Sequence, residues 1–237
     1  MSLVALSPHV RGHLFLFDPP RPVAHPASIG RRLLVAAACL EIFRLAAVIG
    51  LRDVIPSWFL LPLLLAIALL VIRFGVGVPL SAIGLRPWRE WTTTERSYVI
   101  QVIITGNVVF AYLLGARIQA LIALDSQAGI IWNVFVPYLA YGFYQEVVYR
   151  GMVQLDLVRQ WGGPIGILVA NVAYTFGPLH YQYFGWSGSR AVLMFAAIFG
   201  IGLLFGVLFR RSGNLWMVGV MHAIGNAYMV AGTTQPG

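Results

Sequence analysis

Residues 191–209 read AVLMFAAIFGIGLLFGVLF and are followed at once by Arg210 and Arg211. A helix of this length rises about 28 Å, close to the hydrocarbon thickness of a bilayer, and the run holds no charge to interrupt it. The two arginines at its end mark where the chain returns to water. Reading outward, comparable runs occur at 33–51, 54–72, 98–115, 130–149, 164–184 and 214–232. Together they predict an all-α, polytopic transmembrane bundle of about seven helices. The stretch between the second and third runs, 73–97, is too charged and too punctuated by Gly and Pro to span. It reads as a loop with an interfacial piece, Trp88 and Trp91 lying at headgroup level.

Composition supports the same reading. Of 237 residues, 59% are hydrophobic and 10% charged, against roughly 45–50% and about 25% in soluble domains. This excludes a soluble enzyme, a secreted disulfide scaffold and a disordered chain. The single cysteine, Cys39, allows neither an internal disulfide nor a cysteine-based metal site. Residues 1–32 contain Pro8, Pro19, Pro20, Pro22 and Pro26. They read as a non-spanning segment, cytoplasmic or lying on the bilayer through Leu14–Phe17, with no removable signal peptide. Residues 33–232 form a single transmembrane domain. No internal repeat of the transporter type is visible.

The formal charge is +8, and all sixteen basic residues are arginine. These sit mostly at the ends of apolar runs rather than in a polar, aromatic-rich module, so nucleic acid is not the expected partner. With the N-terminus in the cytoplasm and seven alternating spans, the inner segments hold twelve arginines. The outer ones hold Arg52, Arg117 and Arg190, and Arg44 lies within a span. The bias predicts an N-terminus inside. The expected location is a bacterial inner membrane.

Ionisable groups at bilayer depth cost about 2.5–3.5 kcal/mol each on insertion scales, so they are the first candidates for function. Glu41 and Arg44 sit three apart and read as a self-neutralising pair. Glu146 and Arg150 sit four apart, in the favourable order for an ion pair on one helix. Gln145 points about 100° away from Glu146, to a neighbouring face. His180 closes the run Phe176-Gly177-Pro178-Leu179-His180, where Pro178 breaks the backbone ladder. Asn171 is a further polar residue in an apolar run. His222 and Asn226 share a helix face, with Ala223 and Gly225 permitting close helix approach. Taken singly, each is explained by pairing or by interhelical hydrogen bonding.

In combination, the order Gln-Glu-xxx-Arg, Phe-xxx-His and His-xxx-Asn resembles a known family. This is the intramembrane glutamic endopeptidases that include the type II CAAX prenyl endopeptidases and the bacteriocin-processing and self-immunity membrane proteins. Its pattern is Glu-Glu-xxx-Arg, then Phe-xxx-His, then His-xxx-Asn. The likeness covers roughly residues 130–230. It implies a peptidase acting on a membrane-anchored protein or peptide near its C-terminal or transmembrane segment. It also implies roles. A carboxylate at position 145 would take a proton from water, and His180 would hold or polarise that water. His222 and Asn226 would donate to the oxyanion, while Glu146, Arg150 and Phe176 would support the site. No cofactor is expected. A zinc set of two His and a carboxylate is the lesser reading, because no His-Glu-xx-His occurs.

One position departs from the pattern. Gln145 stands where the family has its water-activating Glu, and an amide cannot accept that proton. Three explanations stand: an engineered, nearly isosteric substitution; a non-hydrolytic relative that serves as a membrane scaffold or binding protein; or Glu146 as the base, at the expense of its pairing with Arg150. Convergence of the motifs also carries a structural demand. It requires a long tilted helix at 130–159, a break at Gly177-Pro178, or other helix boundaries.

Overall fold

The computed structural model describes residues 21–23, 26–51, 54–124, 127–180 and 191–233. Among them the chain forms helical rods without strands. α1 is Ala27–Gly50 and α2 is Ser57–Leu70, prolonged by a π-helical turn at Val71–Val76. α3 is Thr93–Leu124. The rod α4 begins at Gln127–Ile130 and passes through π turns at Ile131–Phe135 and Tyr149–Gln154. Val136–Val148 lies between these turns, and Leu155–Trp161 ends the rod. α5 is Gly163–Phe176, α6 is Ala191–Ser212 and α7 is Trp216–Thr233. Four stretches are long and apolar enough to cross a membrane: Ala27–Gly50, Ser57–Val76, Thr93–Ala116 and Ala191–Ser212. The protein is a membrane protein with an all-α bundle, as its apolar runs predict.

The rod α4 lies at the centre. It packs against α1, α2, α5, α6 and α7, and α7 packs in turn on α3. The core around it includes Leu33, Leu64, Ile72, Tyr144, Val148, Met152 and Phe209, all nearly free of solvent contact. Two helix starts are tied by one carboxylate. Glu95 Oε2 accepts the Thr92 N–H at 2.7 Å, and the Thr92 hydroxyl accepts the Glu95 N–H at 3.1 Å, the reciprocal capping box. Glu95 Oε1 accepts from Asn214 Nδ2 at 3.2 Å, and Asn214 Oδ1 accepts the Trp216 N–H at the start of α7.

Boundaries differ from the sequence reading where a cap or a breaker decides them. α3 starts at Thr93 rather than 98, because the capping box lies within what reads as loop. α1 starts at Ala27, so the six residues 27–32 join the first helix; the expected surface contact of Leu14–Phe17 falls outside the described residues. The run 164–184 is not one span. α5 ends at Phe176, and Gly177 turns extended while its N–H still reaches Ala173 O at 3.0 Å. Pro178 explains the stop, since it lacks a donor and disfavours helical geometry in the residue before it.

Close approach in the bundle depends on Gly142. A Cβ there would lie 2.8 Å from Ala223 Cα and 3.0 Å from His222 O, both backbone atoms of α7 that cannot step aside. Gly142→Leu is therefore expected to destabilise the detergent-solubilised protein by about 1–3 kcal/mol or more. Gly115→Ala, where a Cβ meets nothing within 4 Å, should stabilise by up to about 1 kcal/mol. Thermal unfolding of both variants checks the pair. A neutral Gly142→Leu would remove the close α4–α7 contact from the account.

Candidate functional site

On α4, Gln145, Glu146, Arg150 and Gln154 are all buried, Glu146 and Arg150 completely. Glu146 Oε1 lies 2.6 Å from His222 Nδ1 of α7, and its Oε2 lies 3.5 Å from Arg150 Nε. The expected Glu146–Arg150 pair is present, and His222 joins it. With Nδ1 against a carboxylate, the imidazole proton belongs on Nδ1, and Nε2 faces the Tyr174 hydroxyl at 3.5 Å. Arg150 Nη2 donates to Gly202 O of α6 at 3.0 Å, and its Cζ sits 4.5 Å from the centre of the Tyr174 ring. One turn further on both helices, Gln154 Nε2 donates to Gly206 O at 2.9 Å. Gly202 leaves room for two side chains: a Cβ there would collide with Asn171 Oδ1 and lie 3.2 Å from Arg150 Nη2.

His180 arrives from a different direction. It lies just past the end of α5 and is buried, with Nδ1 2.9 Å from the Tyr174 carbonyl. Its ring meets the Tyr174 ring edge-on, centroids 5.0 Å apart. Tyr174 thus stands between the two histidines. The break at Gly177-Pro178 brings His180 to the tyrosine that His222 also meets. Gln145 is buried, and its Oε1 has no hydrogen-bond partner. Asn226 is half-buried one turn beyond His222. Phe176 lies outside the polar cluster; it is half exposed and stacks on Phe195 of α6 at 5.5 Å.

A second polar cluster adjoins the first. Arg44 donates to Glu41 through Nε and Nη2, as the three-residue spacing predicts. The hydroxyls of Tyr144 and Tyr149 each donate to Glu41 at 3.1 Å, and Arg44 Nη1 donates to the Tyr141 hydroxyl at 3.3 Å. The Tyr149 ring then meets Tyr174 at 5.4 Å, joining the clusters. Sequence reasoning passed over these tyrosines. The signal was available, since a hydroxyl in an apolar span needs a partner just as a carboxylate does.

Buried side-chain polar atoms without a hydrogen bond concentrate here. They are Gln145 Oε1, Glu146 Oε2, Arg150 Nε and Nη1, Asn171 Oδ1 and Thr175 Oγ1. Folded proteins leave few such atoms, so a concentration of them marks a place suited to receive polar ligand groups. Among the described residues no group of three or more His, Cys, Asp or Glu is arranged to hold a metal ion.

Residues 127–228 match the family model of the Rce1-like type II CAAX prenyl endopeptidases. Neither the curated proteins nor the solved structures yield a match. The matched segment runs from the start of α4 into α7 and carries all three motifs. Over that segment the chain is similar to this family, which supports the resemblance read from the motifs. The match supports a CAAX-protease-type function.

Arg150→Ala strands the Glu146 carboxylate in the bundle and is expected to lower stability by about 3–5 kcal/mol. Replacing both partners by apolar residues of similar size, Glu146→Leu with Arg150→Met, should recover most of that loss, because no buried charge is then left alone. Denaturant unfolding in micelles measures the difference. A double variant no better than Arg150→Ala would show that the charge is not what matters.

Proposed function

We propose that the protein is an intramembrane endopeptidase of the glutamic type, built to act on a membrane-anchored protein or peptide near its C-terminal or transmembrane segment. We further propose that with Gln145 it binds such a substrate without cleaving it. The observation that supports this most is the contrast between neighbours on α4. Glu146 is engaged with His222 and Arg150, while Gln145 is buried with an acceptor oxygen that nothing satisfies.

A carboxylate at 145 would deprotonate a water beside the scissile carbonyl, with His180 holding that water. His222, fixed through Nδ1 by Glu146, offers Nε2 to the oxyanion when that nitrogen carries a proton, and Asn226 adds a donor from the same helix face. In a dry site such donors are stronger than in water. An amide at 145 keeps shape and reach but loses the base, which is worth roughly 10²–10⁴-fold.

The 2.6 Å contact between Glu146 and His222 favours a second reading. A carboxylate holding Nδ1–H leaves an unprotonated Nε2 able to take the proton itself, as in other carboxylate–histidine pairs. The chain would then cleave as it stands.

Co-expression with a membrane-anchored substrate separates the two. The expected result is no cleavage by the chain itself and cleavage at least about 10²-fold faster after Gln145→Glu, abolished by adding His222→Ala. Cleavage by the unaltered chain that is lost on Glu146→Gln establishes the second reading. If neither form cleaves any substrate while the unaltered chain still captures one, the protein is a membrane binding protein on a peptidase fold.

A further inference from the structure

Besides the site, the described residues leave buried, unpartnered side-chain polar atoms at Arg86 Nη1 and Arg96 Nε. Both arginines lie at the end of the bundle where the loop enters α3. Arg86 borders an open cavity of about 760 Å³ between α2, α3, α4, α7 and the loop before α3. Its walls are almost wholly apolar, with Leu69, Ile103, Leu139, Val220 and Ile224 among them. The size is that of a ligand pocket rather than a packing fault.

The cavity is separate from the polar cluster. On α7 it is lined by Trp216, Val220, Ala223 and Ala227. Val220 and His222 point about 200° apart on a helix, so the cavity backs onto the face of α7 opposite the histidine. What enters it does not meet Glu146 or His180.

Two features define the occupant. Ile103, within the α3 stretch suited to span the membrane, lines the cavity and is 43% exposed. The cavity therefore lies beside a face of α3 suited to the hydrocarbon of the bilayer, and its mostly apolar walls give water few partners. At its other end the charge is unbalanced. Arg86 Nη2 donates to Arg21 O at 2.8 Å, which is a neutral acceptor. The nearby carboxylate of Glu95 is already engaged by Thr92, Asn214 and Arg21. Burial and the charge of Arg21 outweigh the nearby carboxylates of Glu95 and Glu90 and hold the Arg86 guanidinium below its ordinary value. A guanidinium so placed suits a phosphate, which it can grip through two N–H groups.

We infer that this cavity is a binding site for an anionic phospholipid, with an acyl chain between α3 and α7 and its phosphate at Arg86. The inference stands apart from the proteolytic reading, because neither the lipid nor its site touches the histidines. The site would bind its lipid whether or not the chain cleaves anything.

The test is native mass spectrometry of the purified full-length chain in detergent, titrated with phosphatidylglycerol and phosphatidylcholine of equal chain length. Retention of phosphatidylglycerol should be about fivefold stronger, the effect of one basic residue at a lipid headgroup. Arg86→Gln should bring it down to the phosphatidylcholine level, while Arg89→Gln, at an exposed position in the same loop, should leave it unchanged. Val220→Trp, which fills the cavity, should weaken retention of both lipids, with circular dichroism confirming that the helices remain. Equal retention of the two lipids by the parent chain overturns the inference. So does a preference that survives Arg86→Gln, retention untouched by Val220→Trp, or a fatty acid or peptide held in place of phospholipid.

Discussion

A carboxylate with no solvent contact inside a membrane bundle is the constraint on which the rest of this structure turns. Glu146 is fully buried, and an unpaired carboxylate in such surroundings would be far too costly to stay charged. Its two oxygens therefore dictate where α4 and α7 sit. One meets Arg150 of its own helix and the other meets His222, 76 residues away. Arg150 in turn reaches the backbone of α6 at Gly202. One acid thus ties three helices together. Packing alone would not set this geometry, since lipid is as apolar as the helices and gives them no hydrophobic reason to associate.

The Glu41 cluster applies the same rule a second time. Its acid has an arginine partner on its own helix, and the surplus acceptor capacity is taken by tyrosine hydroxyls from α4. Tyr149 faces both ways, with its hydroxyl on Glu41 and its ring on Tyr174. It belongs to the π turn that also carries Arg150 and Gln154. Such turns widen a helix locally and recur at functional sites. Here the widened turn lies where α4 sends polar groups toward α1, α5 and α6 at once.

The apolar runs made the helices legible, because twenty residues without charge have few alternatives in a membrane. Helix ends were less so. The Thr92-x-x-Glu95 cap was present in the sequence but sat among charges that read as loop. The break after Phe176 was legible in Pro178, yet hydropathy runs straight through it. In the site, the four-residue spacing declared the pair of Glu146 with Arg150. The contact of Glu146 with His222 and the placing of Tyr174 between two histidines had no such sign, since periodicity reports neighbours on one helix and says nothing about partners on another. The direction of Gln145 relative to Glu146 followed from helix geometry; which of the two would meet the histidine did not.

That last distinction bears on why an amide stands at 145. Both residues are buried, but Arg150 lies one turn from Glu146 alone, and the site compensates one charge. Glu146 has Arg150 and His222. A second carboxylate at 145 would lie beside the first, and like charges close together in a poorly solvated space disfavour ionisation of both. Holding it ionised would need donors drawn from the same small set, such as the unpartnered Nη1 of Arg150. Gln145 avoids that repulsion and keeps a hydrogen-bonding side chain of the same length. On the proposed chemistry, a carboxylate at 145 would be a destabilising charge, the usual opposition between stability and activity. With Gln145 the bundle keeps a single buried carboxylate on this stretch of α4, and that charge is compensated by Arg150 and His222.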